Sequence, residues 1–141
     1  MGFCSGCGAA LAGQPPIQCG NCGRQHWRNA KPAAGGLVVR EGKLLLVRRA
    51  HDPWRGAWCA PSGFCDGDEH PICTAEREIY EEAGVRARVV GFLGIWVGDY
   101  GDEGPTADTE WVSVAYYHAE DRKSTRLNSS HIQKSRMPSS A

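Results

Sequence analysis

The stretch Gly63–Val85 constrains this chain more than any other. Within it, Thr74–Ala83 holds neither proline nor glycine, which suits a helix, and Gly84 is a natural C-terminal stop. On that helix Glu78, Glu81 and Glu82 stand at i, i+3 and i+4, so their carboxylates share one face. Like charges so placed repel by about 0.2–0.5 kcal/mol per neighbouring pair. A solvated acidic face is the ordinary explanation of such a helix. Here the helix follows a sharp turn expected at Ala60-Pro61-Ser62-Gly63, where glycine lets the backbone come close to a ligand. Carboxylates beside a carbonyl make an all-oxygen donor set, which suits a hard cation such as Mg²⁺ or Mn²⁺. Such a cation can bind diphosphate oxygens, acidify water and neutralise charge at phosphorus.

The whole stretch fits the pattern G-x5-E-x7-R-E-U-x-E-E-x-G-U, where U is a bulky aliphatic residue. Its fixed slots hold Gly63, Glu69, Arg77, Glu78, Ile79, Glu81, Glu82, Gly84 and Val85. Here the chain resembles the Nudix hydrolases, and with the full signature present the solvated-face reading gives way to a metal site. The resemblance implies that Glu78, Glu81 and Glu82 are metal ligands, with the Gly63 carbonyl as a further one. It implies that Glu69 assists at or just behind the metal, and that Arg77 orients a carboxylate through a bidentate ion pair. Ile79 and Val85 are then core residues. One departure adjoins the signature: the family commonly has Pro-Gly-Gly where this chain has Pro61-Ser62-Gly63.

A second signal precedes it. Cys4-x2-Cys7 and Cys19-x2-Cys22 each sit in a glycine-rich knuckle, a spacing that supplies four thiolates for tetrahedral zinc. Disulfide pairing is the alternative, and His26 is a competing ligand that a complete cysteine set makes unnecessary. The segment is too short to bury a core, so metal is expected to hold it together. Zinc ribbons also serve as nucleic-acid modules, but Arg24 is the only basic residue between Met1 and Gln25, where a phosphate-binding surface wants several. The ribbon is therefore read as structural or as an oligomer contact, which leaves a homodimer open. A zinc ribbon running into a Nudix domain resembles the branch of NADH pyrophosphatase and ADP-ribose pyrophosphatase-like hydrolases, and the link His26–Pro32 fits it. The Ser-Gln-Pro-Trp-Pro-Phe-Pro segment of true NADH pyrophosphatases is replaced here by Phe92–Gly98, so NADH specificity is not carried over.

Residues 121–141 change character, with six serines, five Lys or Arg and no hydrophobic period. A disordered basic tail is one reading. Another is that Asp121–His131 and Ser135–Ala141 resemble the translated constant parts of a short-read sequencing adapter, with Ile132–Lys134 in place of its barcode. On that reading the native frame is interrupted after about Glu120 and the Nudix domain is cut short. Without the tail, the formal charge of the 141-residue chain falls from zero to −4, which offers no electrostatic case for nucleic-acid or membrane binding.

The expected division is a zinc ribbon and linker over 1–32, an incomplete Nudix domain over 33–120 and a tail over 121–141. Leu37–Val39 and Leu44–Val47 flank Arg40-Glu41-Gly42-Lys43 as a hairpin. Trp58 is expected in the core, and Trp54 could line a base pocket. Arg86–Val97 reads as a long or bent strand pair, Gly98–Pro105 as a loop and Trp111–His118 as a half-buried strand. A mixed sheet with the glutamate helix packed on it follows. The resemblance sharpens this to an α/β/α sandwich of the α/β (α+β) class. Cys59, Cys65 and Cys73 read as packed or incidental thiols. No export signal or apolar span stands out, and the cysteines point to a reducing cytoplasm. The function expected is metal-dependent hydrolysis of a nucleoside diphosphate linked to another moiety, with Glu103, Glu110 and Glu120 as candidate extra bases. The alternative is a non-catalytic nucleotide-sensing or zinc-ribbon binding module.

Overall fold

The computed structural model describes residues 2–52, 54–99 and 109–122. Four two-residue strands build the amino-terminal ribbon: β1 (Gly2–Phe3) pairs β2 (Ala10–Leu11), and β3 (Ile17–Gln18) pairs β4 (Gln25–His26). The two halves repeat one design. Cys4 N–H donates to the Ala9 carbonyl and Gly8 N–H to the Cys4 carbonyl, while Cys19 donates to Arg24 and Gly23 to Cys19. Gly8 (φ 73°) and Gly23 (φ 74°) occupy the left-handed region that each turn requires.

The chain then enters β5 (Lys31–Arg40), the central strand of a five-stranded mixed sheet. β5 turns through Glu41 and Gly42, both at positive φ, into β6 (Lys43–Leu44), the two-residue hairpin geometry that the Glu-Gly pair suits. The strand expected over Leu44–Val47 is broken. β6 ends at Leu44, and β7 (Val47–Arg48) leaves to pair with β8 (Trp58–Cys59). That side hairpin carries Trp58 outward. Trp58 pairs with Arg48 and is 55% exposed, so it is not the core residue expected.

β9 (Ser62–Phe64) returns antiparallel to β5, with Gly63 opposite Ala34. The helix α1 (Pro71–Ala83) follows. It begins three residues before Thr74 because His70 caps it, its Nδ1 accepting from the Ile72 N–H, and Pro71 fits the first turn. Gly84 (φ 69°) ends it and donates to the Tyr80 carbonyl. β10 (Ala87–Asp99) is a single long strand with irregular register at Val90 and Leu93, and it takes in Gly98 and Asp99, where a loop was expected. The remainder of that loop lies outside the described residues. β11 (Trp111–Asp121) runs antiparallel to β10 and parallel to β5. It includes Asp121, and Arg122 N–H donates to the Arg86 carbonyl, so the sheet continues two residues past Glu120. Residues 123–141 lie outside the described residues.

α1 packs on β5, β9, β10 and β11, and its buried residues are Thr74, Ala75, Glu78 and Ile79. Small residues on β5 let it approach: a Cβ on Gly36 would meet the Ile79 side chain. Ile79 and Val85 are buried with Val38, Ala87 and Ala119, and Ala75 packs with Ala34, Ala115 and Tyr117. α1 is the one helix among the described residues. The expected sheet and first helical layer are therefore present, and no second helical layer falls within those residues. No helix among them is long and apolar enough to cross a membrane.

Candidate functional site

The signature residues gather where β9 meets the inner face of α1. Arg77 is the hub. Its Nε donates to Glu69 Oε1 at 2.9 Å and its Nη2 to Glu69 Oε2 at 2.8 Å, a bidentate pair. Nη1 reaches forward to Glu78 Oε1 at 2.7 Å and Glu81 Oε2 at 3.2 Å, and Nη2 also donates to the Phe64 carbonyl at 3.1 Å. One guanidinium thus ties the loop before the helix, the helix itself and β9. Glu69 takes two more donors, the Thr74 hydroxyl at 2.7 Å and the Asp66 amide at 3.3 Å.

Glu82 is held differently. Its Oε2 accepts from the Ser62 amide at 3.1 Å. Glu78 and Glu81 therefore converge on Arg77, while Glu82 is held at Ser62, where β9 begins. The three carboxylates share one helix face but do not converge on a single point. Glu78 is nearly buried and Glu81 is exposed.

Gly63 has an ordinary φ and sits in an extended strand, not in the sharp turn expected. Its importance is spatial: a Cβ there would collide with the Glu78 carboxylate. The Ser62 departure from the family pattern costs nothing visible, since Ser62 is extended, its amide serves Glu82 and its hydroxyl donates to the Ala60 carbonyl.

The electrostatics separate the acids by environment. The Arg77 guanidinium, helped by Thr74 and Asp66, holds the Glu69 carboxyl down to about 2. Burial pushes Glu78 up, against the pull of Arg77, and the charges of Glu82 and Glu81 push the same way. The acids around it, Glu69 first, raise Arg77 itself. A buried carboxylate that resists ionisation beside two further acids is a place where positive charge is favourable.

Of the candidate bases, Glu110 pairs with Lys31 at 2.7 Å, Glu120 lies opposite Arg88 near the end of β11, and Glu103 is outside the described residues. A concavity of about 410 Å³ opens beside α1, lined by Glu76, Arg77, Tyr80, Arg86, Ala87 and Arg122. It shares Arg77 with the acidic site but none of Glu69, Glu78, Glu81 or Glu82.

In the ribbon, Cys4 and Cys22 sulfurs lie 3.6 Å apart and Cys7 and Cys19 sulfurs 3.7 Å. All four lie within 4.8 Å of one another, and none is in a disulfide. A tetrahedron with about 2.3 Å zinc–sulfur bonds has edges of about 3.8 Å, so the sulfurs stand at zinc-binding separation. The His26 ring Nε2 is 3.3 Å from Cys4 Sγ, next to this set and not within it.

Three contacts were not legible from the sequence: the Ser62 amide on Glu82, the Phe64 carbonyl on Arg77 and the Thr74 hydroxyl on Glu69. The first two are main-chain groups with no residue signature. Thr74 could have been found from its place three residues before Arg77 on the same helix face.

Known proteins resemble this chain in sequence and in fold. A family model described as the NUDIX domain matches residues 30–139. An ADP-ribose pyrophosphatase of Methanocaldococcus jannaschii is 33% identical over 64 residues, 45% of this chain and 38% of that protein. The NAD-capped RNA hydrolase NudC of Stutzerimonas stutzeri is 34% identical over 86 residues, 59% of this chain and 31% of its own length. The chain thus spans less than half the length of these curated relatives. Among solved structures, a NUDIX hydrolase from Nitrosomonas europaea superposes with a TM-score of 0.70 at 26% identity, covering 89% of this chain and 70% of that one.

Proposed function

This chain belongs to the NUDIX family, and on that premise we propose that it is a hydrolase of the diphosphate in a nucleoside diphosphate joined to a second moiety. The ADP-ribose pyrophosphatase relative supports a substrate of the ADP-ribose or dinucleotide kind. The observation that carries the proposal is the Arg77 hub, which fixes Glu69, Glu78 and Glu81 beside the glycine that Glu78 needs empty.

By donor type the three acids suit a hard divalent cation, which would have to draw Glu82 toward Glu78 and Glu81, since among the described residues only the four cysteines already stand close enough to hold a metal. Glu78, Glu81 and Glu82 offer oxygen donors from one helix face, Gly63 packs directly against the Glu78 carboxylate, and Arg77 already pairs with Glu78 and Glu81, so a bound cation would share these acids with the guanidinium. When bound there, Mg²⁺ or Mn²⁺ would neutralise charge on the diphosphate and acidify water for attack on phosphorus. The chain's own residues do the positioning. Arg77 holds Glu69 ionised and prevents Glu78 and Glu81 from splaying apart. The Ser62 amide aims Glu82 at the strand entry. Cys4, Cys7, Cys19 and Cys22 would hold a structural zinc at their present separations.

Product release from ADP-ribose, NADH, diadenosine polyphosphates and oxidised dNTPs, with and without Mg²⁺, tests the reading. Turnover that needs the cation, and that falls by several orders of magnitude in Glu82→Gln, is expected. Nucleotide binding without turnover, or a fully active Glu82→Gln variant, would instead support a non-catalytic nucleotide-sensing module.

A further inference from the structure

The acids of α1 already consume one arginine entirely. Arg77 has five N–H donors, and they meet five acceptors, two on Glu69 and one each on Glu78, Glu81 and the Phe64 carbonyl. None is left for a phosphate oxygen, so a diphosphate at this site needs a cation from elsewhere. The β7–β8 hairpin, which leads into β9, supplies one. Its pairs alternate in and out. Val47 is buried opposite Cys59, while Arg48 and Trp58, the next pair, are exposed. The alternation turns Arg49 inward again, where it is half-buried. A cation so turned is unusual, since the outer side of the hairpin would leave it in water.

Its surroundings place it at the acidic site. The Arg49 side chain hydrogen-bonds the Cys59 thiol, three residues before the Ser62 amide that holds Glu82. The same thiol feels Glu82: burial, then the Glu82 charge, push it up, and Arg49 pulls it down. Arg49 and Glu82 therefore both stand close to Cys59. The arginine is also fixed. Its N–H donates to the Ala57 carbonyl and the Gly56 N–H donates to its carbonyl, both at 2.9 Å. Its guanidinium lies over the Trp54 ring, 5.6 Å from the centroid. Trp54 holds φ at 61°, a left-handed conformation that a bulky side chain avoids. Such strain gathers at ligand sites, and here it sets the indole against the guanidinium. A guanidinium on a ring still presents its planar N–H edge, which matches phosphate oxygens two at a time.

We propose that Arg49, braced by Trp54, binds the diphosphate oxygens of the substrate on the Glu82 side of the site. The identity of the ligand rests on the hydrolase reading, so the test measures binding apart from turnover. Calorimetric titration of the full chain with α,β-methylene-ADP and with adenosine, both in Mg²⁺, separates the diphosphate from the nucleoside. Arg49→Gln should weaken the methylene analogue at least about tenfold and leave adenosine unchanged. Arg49→Lys, which keeps the charge and loses the fork, should recover part of the loss. Trp54→Leu should weaken the analogue several-fold, and it keeps the question open to test should Arg49→Gln fail to fold. Unchanged affinity for the analogue in the folded variants overturns the proposal, as does an equal loss for both ligands. An arginine that only balances Glu82 would, when removed, tighten Mn²⁺ binding and leave the analogue's affinity as it was, which also overturns it. Mg²⁺-dependent turnover of ADP-ribose with an unaltered KM in Arg49→Gln would sink the proposal and spare the hydrolase reading. Diphosphate binding that needs Arg49 in a chain without turnover would do the reverse.

Discussion

A methyl group at position 63 would stand inside the space that the Glu78 carboxylate fills. Gly63→Ala must therefore push Glu78 off its place beside Arg77. We expect turnover to fall at least tenfold, about 1.4 kcal/mol of lost transition-state stabilisation, while the melting temperature moves little. Steady-state kinetics with a thermal melt checks this, and a variant with native turnover would show that Glu78 can act from elsewhere. Glu69 makes a pH prediction. Its folded pKa, about 2, lies below the ordinary glutamate value because Arg77 holds the ionised form. A depressed acid contributes stability above its unfolded pKa and loses it as pH falls through the folded one. Its contribution, on the order of 2 kcal/mol at neutral pH, should disappear between about pH 4.5 and about pH 2. Glu69→Gln should flatten the loss of melting temperature in that window, and an unchanged slope would remove Glu69 from the account. Glu78 has the opposite sign. Burial raises it, so its charge opposes folding at neutral pH until a proton or a cation relieves it. The Arg77–Glu69 pair was legible from the signature spacing. The Ser62 and Phe64 contacts were not, because main-chain donors and acceptors leave no trace in residue type.

The helix shows how far pattern carries at the level of elements. Its body was readable from an uninterrupted run ending at Gly84. Its first turn was not, because Pro71 reads as a breaker until His70 is seen to cap it. Gly84 holds φ at 69°, where an L side chain costs roughly 1 kcal/mol or more. Gly84→Ala should lower the melting temperature by several degrees without altering the metal requirement, and an unchanged melt would contradict the cap's importance. Strand readings from apolar content met the same limit. Leu44–Val47 looks like one strand, yet the chain leaves the sheet after Leu44 to form the β7–β8 hairpin. That departure carries Trp58 into solvent, and no local property of the tryptophan announces it.

At the scale of the molecule two units with different sources of stability are joined. The sheet and α1 are held by two apolar clusters, whereas the ribbon's own cluster amounts to Cys4, Leu11 and Cys19. So small a core fits the zinc proposed for the four cysteines, and structural zinc in such domains is worth roughly 10–16 kcal/mol apparent. We expect one zinc per chain by elemental analysis, lost in Cys19→Ser, with proteolysis then cutting first in the ribbon. Zinc retained in that variant would contradict a four-cysteine site. The mixed sheet and its covering helix were legible in the sequence because apolar strand runs lie on both sides of the uninterrupted run that carries the glutamates. The extension of β11 through Asp121 was not, since the change in composition there suggests a boundary that the hydrogen bonding does not respect. Whether the α1 acids beside Gly63 hold a divalent cation can be read from Mn²⁺ binding by electron paramagnetic resonance. The wild-type chain should take up one Mn²⁺ that Mg²⁺ displaces, and Glu82→Gln should weaken that uptake at least tenfold, about 1.4 kcal/mol. Equal Mn²⁺ binding by the two proteins would show that Glu82 and its neighbours on α1 hold no such ion.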